Sequence, residues 1–164
     1  MFEASVGKNY ASDIAVDDVQ MFDGACQAPG DCDFEDGKCT WVNILTDNFD
    51  WIRATTTPSV KTGPQKDHST NSPKGHFMFI ETSYPRKNGE LARLESEVLP
   101  PTAGQCMQFW YHMDGVYIKR LSVFFRVIEQ SESRVWTLGN TQGDKWLQGQ
   151  VAIKSAKPYV VSVS

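Results

Sequence analysis

Apolar positions along this chain recur mostly with a period of two, in short runs separated by turn residues. Residues 38–44 and 49–56 alternate well enough for half-buried strands. Residues 75–82 are apolar on both faces, Phe77 and Phe79 against Met78 and Ile80, as a central strand requires. Residues 105–113, 120–129 and 133–138 are rich in aromatic and β-branched side chains, and loops with Gly104, Gly115 and Gly139 separate them. Residues 146–153 and 158–164 complete the set, and near the start Ile14 and Val16 share a face. Residues 90–99 read both ways: Leu91, Leu94 and Val98 suit a helix, whereas Ala92, Leu94, Ser96 and Val98 suit a strand. Many short strands without a convincing long helix predict an all-β sandwich.

Two stretches lack strand character. Thr57 to Lys74 holds three prolines, Gly63, Asn71 and several serines and threonines, which predicts a long surface loop of the kind used for recognition. Gln27-Ala28-Pro29-Gly30-Asp31 reads as a linker around a Pro-Gly turn.

At 164 residues the chain suits one domain with a sizeable core. A formal charge of −4, with lysines and arginines scattered, argues against nucleic acid, which needs a basic face. No apolar run approaches the length of a membrane span, so this segment does not insert directly into a membrane. Four cysteines without a CxxC pair fit two disulfides or buried free thiols.

Cys32 and Cys39 lie seven positions apart around Asp36-Gly37, close enough for a disulfide across a hairpin-like turn in an oxidising compartment. That spacing is wrong for zinc, whose ligands come in pairs two to four residues apart. Asp31, Asp33 and Glu35 imitate the start of an EF-hand loop, but Asp36 stands where that loop needs glycine and Val42 where it needs the closing glutamate. His68, His76 and His112 are far from metal-ligand spacing, and no GxSxG elbow or HExxH motif is present. Trp41, Trp51, Trp110, Trp136 and Trp146 are read as core or interface.

An ordered series of motifs carries a resemblance. Cys32-Asp33-Phe34-Glu35-Asp36-Gly37, then Cys39-Thr40-Trp41, then Asn48-Phe49-Asp50-Trp51-Ile52-Arg53 resembles the opening of a MAM domain, the extracellular module named after meprin, the A5 antigen and receptor protein tyrosine phosphatase mu. The likeness continues through Gly75 to Ser83, Ala92-Arg93-Leu94, Leu99 to Thr102, Cys106 to Met113 and Gln142 to Trp146. It implies a jelly roll of two antiparallel sheets, and it favours the strand for residues 90–99.

Residues 1–26 resemble the end of such a domain, whereas residues 32–164 resemble its front and stop short of its last strands. The expected organisation is therefore C-terminal strands at 1–26, a linker at 27–31 and a MAM body at 32–164. Such an order arises from a tandem array or from circular permutation. Residues 2–21 are expected to fold back and supply the missing strands.

The resemblance also implies bridges Cys32–Cys39 and Cys26–Cys106. It implies a structural calcium or sodium ion near Asp33, Glu35, Asp50, Asp17 and Asp18, with Glu35 and Asp17 as the foremost ligands; no other cofactor is expected. The alternative is that these carboxylates are solvated or pair with arginines such as Arg53. The implied function is non-catalytic: adhesion or protein interaction, homophilic or heterophilic, at the cell surface or outside the cell. A carbohydrate-binding jelly roll is the second reading.

Overall fold

The computed structural model describes residues 28–59, 61–81 and 85–164. These residues form nine strands and no helix. The strands are β1 (Val42–Asn43), β2 (Ile52–Ala54), β3 (Phe77–Phe79), β4 (Leu94–Glu95), β5 (Thr102–Met113), β6 (Arg120–Val127), β7 (Ser133–Gly139), β8 (Gly143–Ser155) and β9 (Tyr159–Val163). All pairings are antiparallel. One sheet runs β1-β4-β9-β6-β7; the facing layer appears as two ribbons, β5-β8 and β2-β3. The expected all-β jelly-roll sandwich is what these residues build.

The core lies where the inner face of the five-stranded sheet meets the β5-β8 ribbon. Tyr159 and Val123 are fully buried, and Leu99, Val151, Ile153 and Val161 surround them, with Met107, Phe109, Phe125, Trp136 and Val163 at the margin. The period-two pattern of β8 explains its share: Val151, Ile153 and Ser155 point inward while Gln150, Ala152 and Lys154 face solvent. Each fully buried valine contributes about 1.5–3 kcal/mol by removal from water. Tyr159 donates its phenol to Gln105 Oε1 at 2.9 Å, and burial raises its pKa above the ordinary value.

Opposite Phe109 on β8 stands Gly149. A Cβ there would lie 2.3 Å from Phe109 Cζ, so the missing side chain is what lets the ring lie across the strand. The ring then packs edge-on against Trp136, centroids 5.1 Å apart.

Residues 90–99 resolve as a strand, for a reason outside their own propensity. β4 is hydrogen-bonded on both sides, to β1 and to β9, and those partners override the helical option. The strand is shorter than its pattern because Glu97 turns away and accepts from Gly30 N at 3.0 Å and from the Thr40 hydroxyl at 3.1 Å. Pairing resumes at Leu99, which bridges to Tyr159.

Candidate functional site

Two irregular segments dress this sandwich. The first is the Cys32–Cys39 loop, where the sequence places Asp36-Gly37 at the turn. The disulfide between Cys32 and Cys39 is formed, with Cα atoms 5.9 Å apart. Phe34 sits at φ 64° and Cys39 at φ 49°, left-handed conformations that a closed loop of this length imposes. Asp33 Oδ1 accepts from Glu35 N at 3.1 Å.

Arg53, carried on β2, reaches back into the loop. Its Nε donates to Phe34 O at 2.6 Å and its Nη2 donates to Glu35 O. A planar guanidinium suits this task, because its N–H groups diverge in a fixed fork that spans two adjacent carbonyls. Glu35 faces the other way: Oε1 accepts from His76 N at 2.9 Å, and Oε2 lies 3.6 Å from His76 Nδ1. Trp41 locks the far side of the loop, with its indole N–H on Gly30 O at 3.0 Å.

These contacts decide how the expected cation ligands are used. Among the described residues no three His, Cys, Asp or Glu side chains come together as a metal site. Asp50 is exposed and Asp33 is spent on its own turn. Asp17 and Asp18 lie outside the described residues. A cation at this turn would have to share the Phe34 and Glu35 carbonyls with the Arg53 guanidinium. The described residues alone therefore do not supply a calcium ligand set. Arg53 pairs with backbone carbonyls, so the alternative in which it pairs with the carboxylates is not what the described residues show. Cys106 lies exposed on β5 and is bridged to no cysteine among the described residues; Cys26, its expected partner, lies outside them.

The second segment is the loop expected at 57–74. It is irregular, as its prolines demand, but it is tied down from within and from beneath. Asp67 is only 2% exposed. Its Oδ2 accepts from Thr70 N at 2.5 Å, and its Oδ1 accepts from the Thr70 hydroxyl and from Ser72 N, both at 2.8 Å. Burial alone would raise the pKa of this carboxyl. The Thr70 and Ser72 hydrogen bonds outweigh that and hold it below the usual value. A Cβ on Gly75 would fall 2.1 Å from Asp67 Oδ1, so the loop closes on its carboxylate only over a glycine.

Beneath the loop, His68 stacks on Trp110 of β5, with centroids 3.6 Å apart and planes within 17°. Trp146 of β8 donates its indole N–H to Lys66 O at 2.8 Å and meets Phe77 edge-on. His112, next along β5, contacts Asp144 at 2.9 Å. The loop thus rests on the β5-β8 face through His68 and Lys66. Asp67 was not legible as its organiser beyond the Asp-x-x-Thr spacing, which suits an Asx-type turn. The stack of His68 on Trp110 joins residues 42 positions apart, and no local signal announces it.

These features define a class: an antiparallel β-sandwich module with a disulfide-closed turn and a buttressed surface loop. The family profile of the MAM domain (MAM domain, meprin/A5/mu) matches residues 32–164, and the chain belongs to that family. It is similar to MAM domain-containing glycosylphosphatidylinositol anchor protein 1 of Homo sapiens and of Gallus gallus. Each is 40% identical over 139 residues, covering 79% of this chain. The corresponding anchor protein 2 of Mus musculus is 39% identical over 139 residues, covering 74% of this chain. The chain spans 14% of the length of these relatives.

Proposed function

We propose that this chain is a non-catalytic interaction module at the cell surface or outside the cell, one unit of a larger anchored or secreted protein, with adhesion to other proteins as its work. The observation that carries the reading is the family match over residues 32–164, joined to relatives named as glycosylphosphatidylinositol anchor proteins. The closed Cys32–Cys39 bridge is consistent with an oxidising compartment. Among the described residues no helix is long and apolar enough to cross a membrane. The test is display of the chain on beads or as a multivalent fusion, with binding to cells and bead clustering as readouts. Binding above a scrambled-surface control supports the reading; none at high avidity removes it.

The carbohydrate alternative fares less well on the side chains. Trp110 is 44% exposed, but His68 covers one of its faces. The indole N–H groups of Trp41, Trp51 and Trp146 are all spent on backbone carbonyls. Stacking on a sugar needs a free aromatic face, which Trp110 offers on one side only and Tyr117 offers at 92% exposure, so the preference for protein contact rests on the family match.

Two further expectations belong to this reading. Residues 2–21 return to the sandwich as its remaining strands, and Cys26 bridges to Cys106. The support is that among the described residues β5 and β8 pair only with each other, and a two-stranded ribbon is marginal alone. Deleting residues 1–26 then lowers the melting temperature; an unchanged melting temperature rejects the return. A calcium or sodium ion near Glu35 would draw its other ligands from Asp17 and Asp18. Calcium or sodium raising the melting temperature of chelated, sodium-free protein supports that ion, and no shift with either rejects it.

A further inference from the structure

Asn88-Gly89 is the one Asn-Gly pair in the sequence, and it forms the tip of a tight turn. Glu90 N donates to Lys87 O at 3.1 Å, and Gly89 takes φ 97° at the turn's third position, a left-handed conformation that glycine adopts without strain. Both residues are exposed, and a Cβ on Gly89 would meet nothing within 4 Å. An asparagine in such a place can react with its own chain, because the next backbone nitrogen reaches the side-chain carbonyl carbon and closes a five-membered ring. Closure is helped by a small following residue, by a following N–H that no hydrogen bond holds, and by a carbonyl oxygen placed to accept charge.

The described asparagines differ on these counts. Ile44 follows Asn43, its N–H is held by Arg93 O at 3.2 Å, and both ends of the Asn43 amide are spent on Trp51. Asn71 precedes Ser72, whose N–H is held by the buried Asp67 carboxylate at 2.8 Å. Asn48 Oδ1 accepts from Leu91 N at 2.9 Å and bulky Phe49 follows it, while Asn140 precedes β-branched Thr141. At Asn88 the Gly89 N–H has no acceptor among the described residues. Asn88 Oδ1 accepts from Lys119 Nζ at 3.4 Å, so an ammonium lies where negative charge gathers when that carbonyl is attacked. The other charged side chains of the turn are Lys87 and the Arg86–Glu90 pair at 4.0 Å, in which the Glu90 carboxylate is already matched.

We infer that Asn88 is a site of spontaneous covalent modification, assisted by Lys119. The Gly89 nitrogen gives its proton to water and bonds to Asn88 Cγ. The bond from Cγ to the side-chain nitrogen breaks, and that nitrogen takes a proton from water and leaves as ammonia. Water then opens the ring. Cleavage between the ring nitrogen and Cγ leaves aspartate; cleavage between that nitrogen and the Asn88 backbone carbonyl carbon leaves isoaspartate. The net change is water in and ammonia out, with nothing oxidised or reduced. Aspartate keeps the turn and makes an ion pair of the Lys119 contact. Isoaspartate runs the chain through the side chain and adds a carbon to the turn, so Glu90 N loses Lys87 O and the adjoining tie from Leu91 N to Asn48 loosens. This goes beyond the reading of the chain as an interaction module, and either can fail without the other.

The experiment is incubation of the whole folded chain in mildly alkaline buffer at body temperature, followed by peptide mapping. The Asn88 peptide should gain about 1 Da per event and separate into two isomers, as exchange of an amide for a carboxylate requires. The Asn43 and Asn71 peptides should stay unchanged over the same period. Unfolding in urea should speed Asn71 at least about tenfold, because the Ser72 N–H loses a charged acceptor, and should leave Asn88 no faster. Lys119→Met removes an exposed charge contact and should slow Asn88 about two- to fivefold. Asn88→Gln, which would have to close a six-membered ring, should stay unmodified. All three side chains are exposed, and unchanged circular dichroism checks the fold. An Asn88 that reacts only after unfolding, an Asn71 that keeps pace with it in the folded chain, or Lys119→Met that reacts as fast as wild type overturns the inference.

Discussion

Asp67→Ala removes one carboxylate and takes three hydrogen bonds with it: those from Thr70 N, the Thr70 hydroxyl and Ser72 N. A bond to a charged acceptor is worth about 1.5–3 kcal/mol, so the local loss is of the order of 5 kcal/mol or more. The fold as a whole does not feel all of it, because a surface loop can open by itself once opening is the cheaper state. The expected global loss is about 2–4 kcal/mol, the range of a broken buried network. At about 2–4 °C per kcal/mol for a chain of this size, the melting temperature should fall by roughly 4–16 °C. Asp67→Asn keeps the shape but turns an amide N–H toward a donor, so it should cost about half as much. Hydrogen exchange over residues 66–75 should accelerate in both variants, and Trp110 fluorescence should change as His68 leaves its face. Acid should act the same way. The folded pKa of Asp67 lies below its unfolded value, so this stability is present above the unfolded pKa, near 3.9, and disappears as pH falls through the folded one. Unchanged exchange in Asp67→Ala, with a melting temperature within about 1 °C of wild type, would refute the loop as a carboxylate-organised unit.

Three other substitutions probe the remaining joints. Replacing Cys32 and Cys39 by serine should cost about 2.5 kcal/mol by the loop-entropy relation, read as a lower denaturant midpoint. Arg53→Lys cannot bridge the Phe34 and Glu35 carbonyls as a fork and should lose roughly 1–2 kcal/mol, with the change confined to the loop and the His76 amide in NMR spectra. Gly149→Ala must drive Phe109 off its strand and away from Trp136; about 1–3 kcal/mol should go, with near-ultraviolet dichroism reporting the aromatic shift.

The strands were legible because β structure writes itself in a period of two: β7 and β9 follow their patterns to within a residue at each end, β6 stops two residues short, and β8 runs three residues earlier and two later than its pattern. Residues 90–99 needed more, since Leu94 fits a helix as well as a strand and only β1 and β9 on either side decide the matter. The disulfide was legible because its two cysteines are close in sequence. What stayed hidden is long-range. His76 meets Glu35 across 41 positions, and Lys66 meets Trp146 across 80. Arg53 was placed correctly beside the acidic turn, but its partners are carbonyls, and backbone acceptors leave no mark in a sequence. Nor does alternation tell a valine in the core from Val116 at a loop tip. The fold-back of residues 2–21 falls outside the described residues.

The account stands or falls on a cell-surface module whose opening turn is covalently closed. The direct test is peptide mapping of the chain secreted from cells, alkylated before any reduction. Cys32 and Cys39 should emerge linked in one fragment, and Cys26 linked to Cys106 in another. Four alkylated cysteines in folded, secreted protein would contradict it.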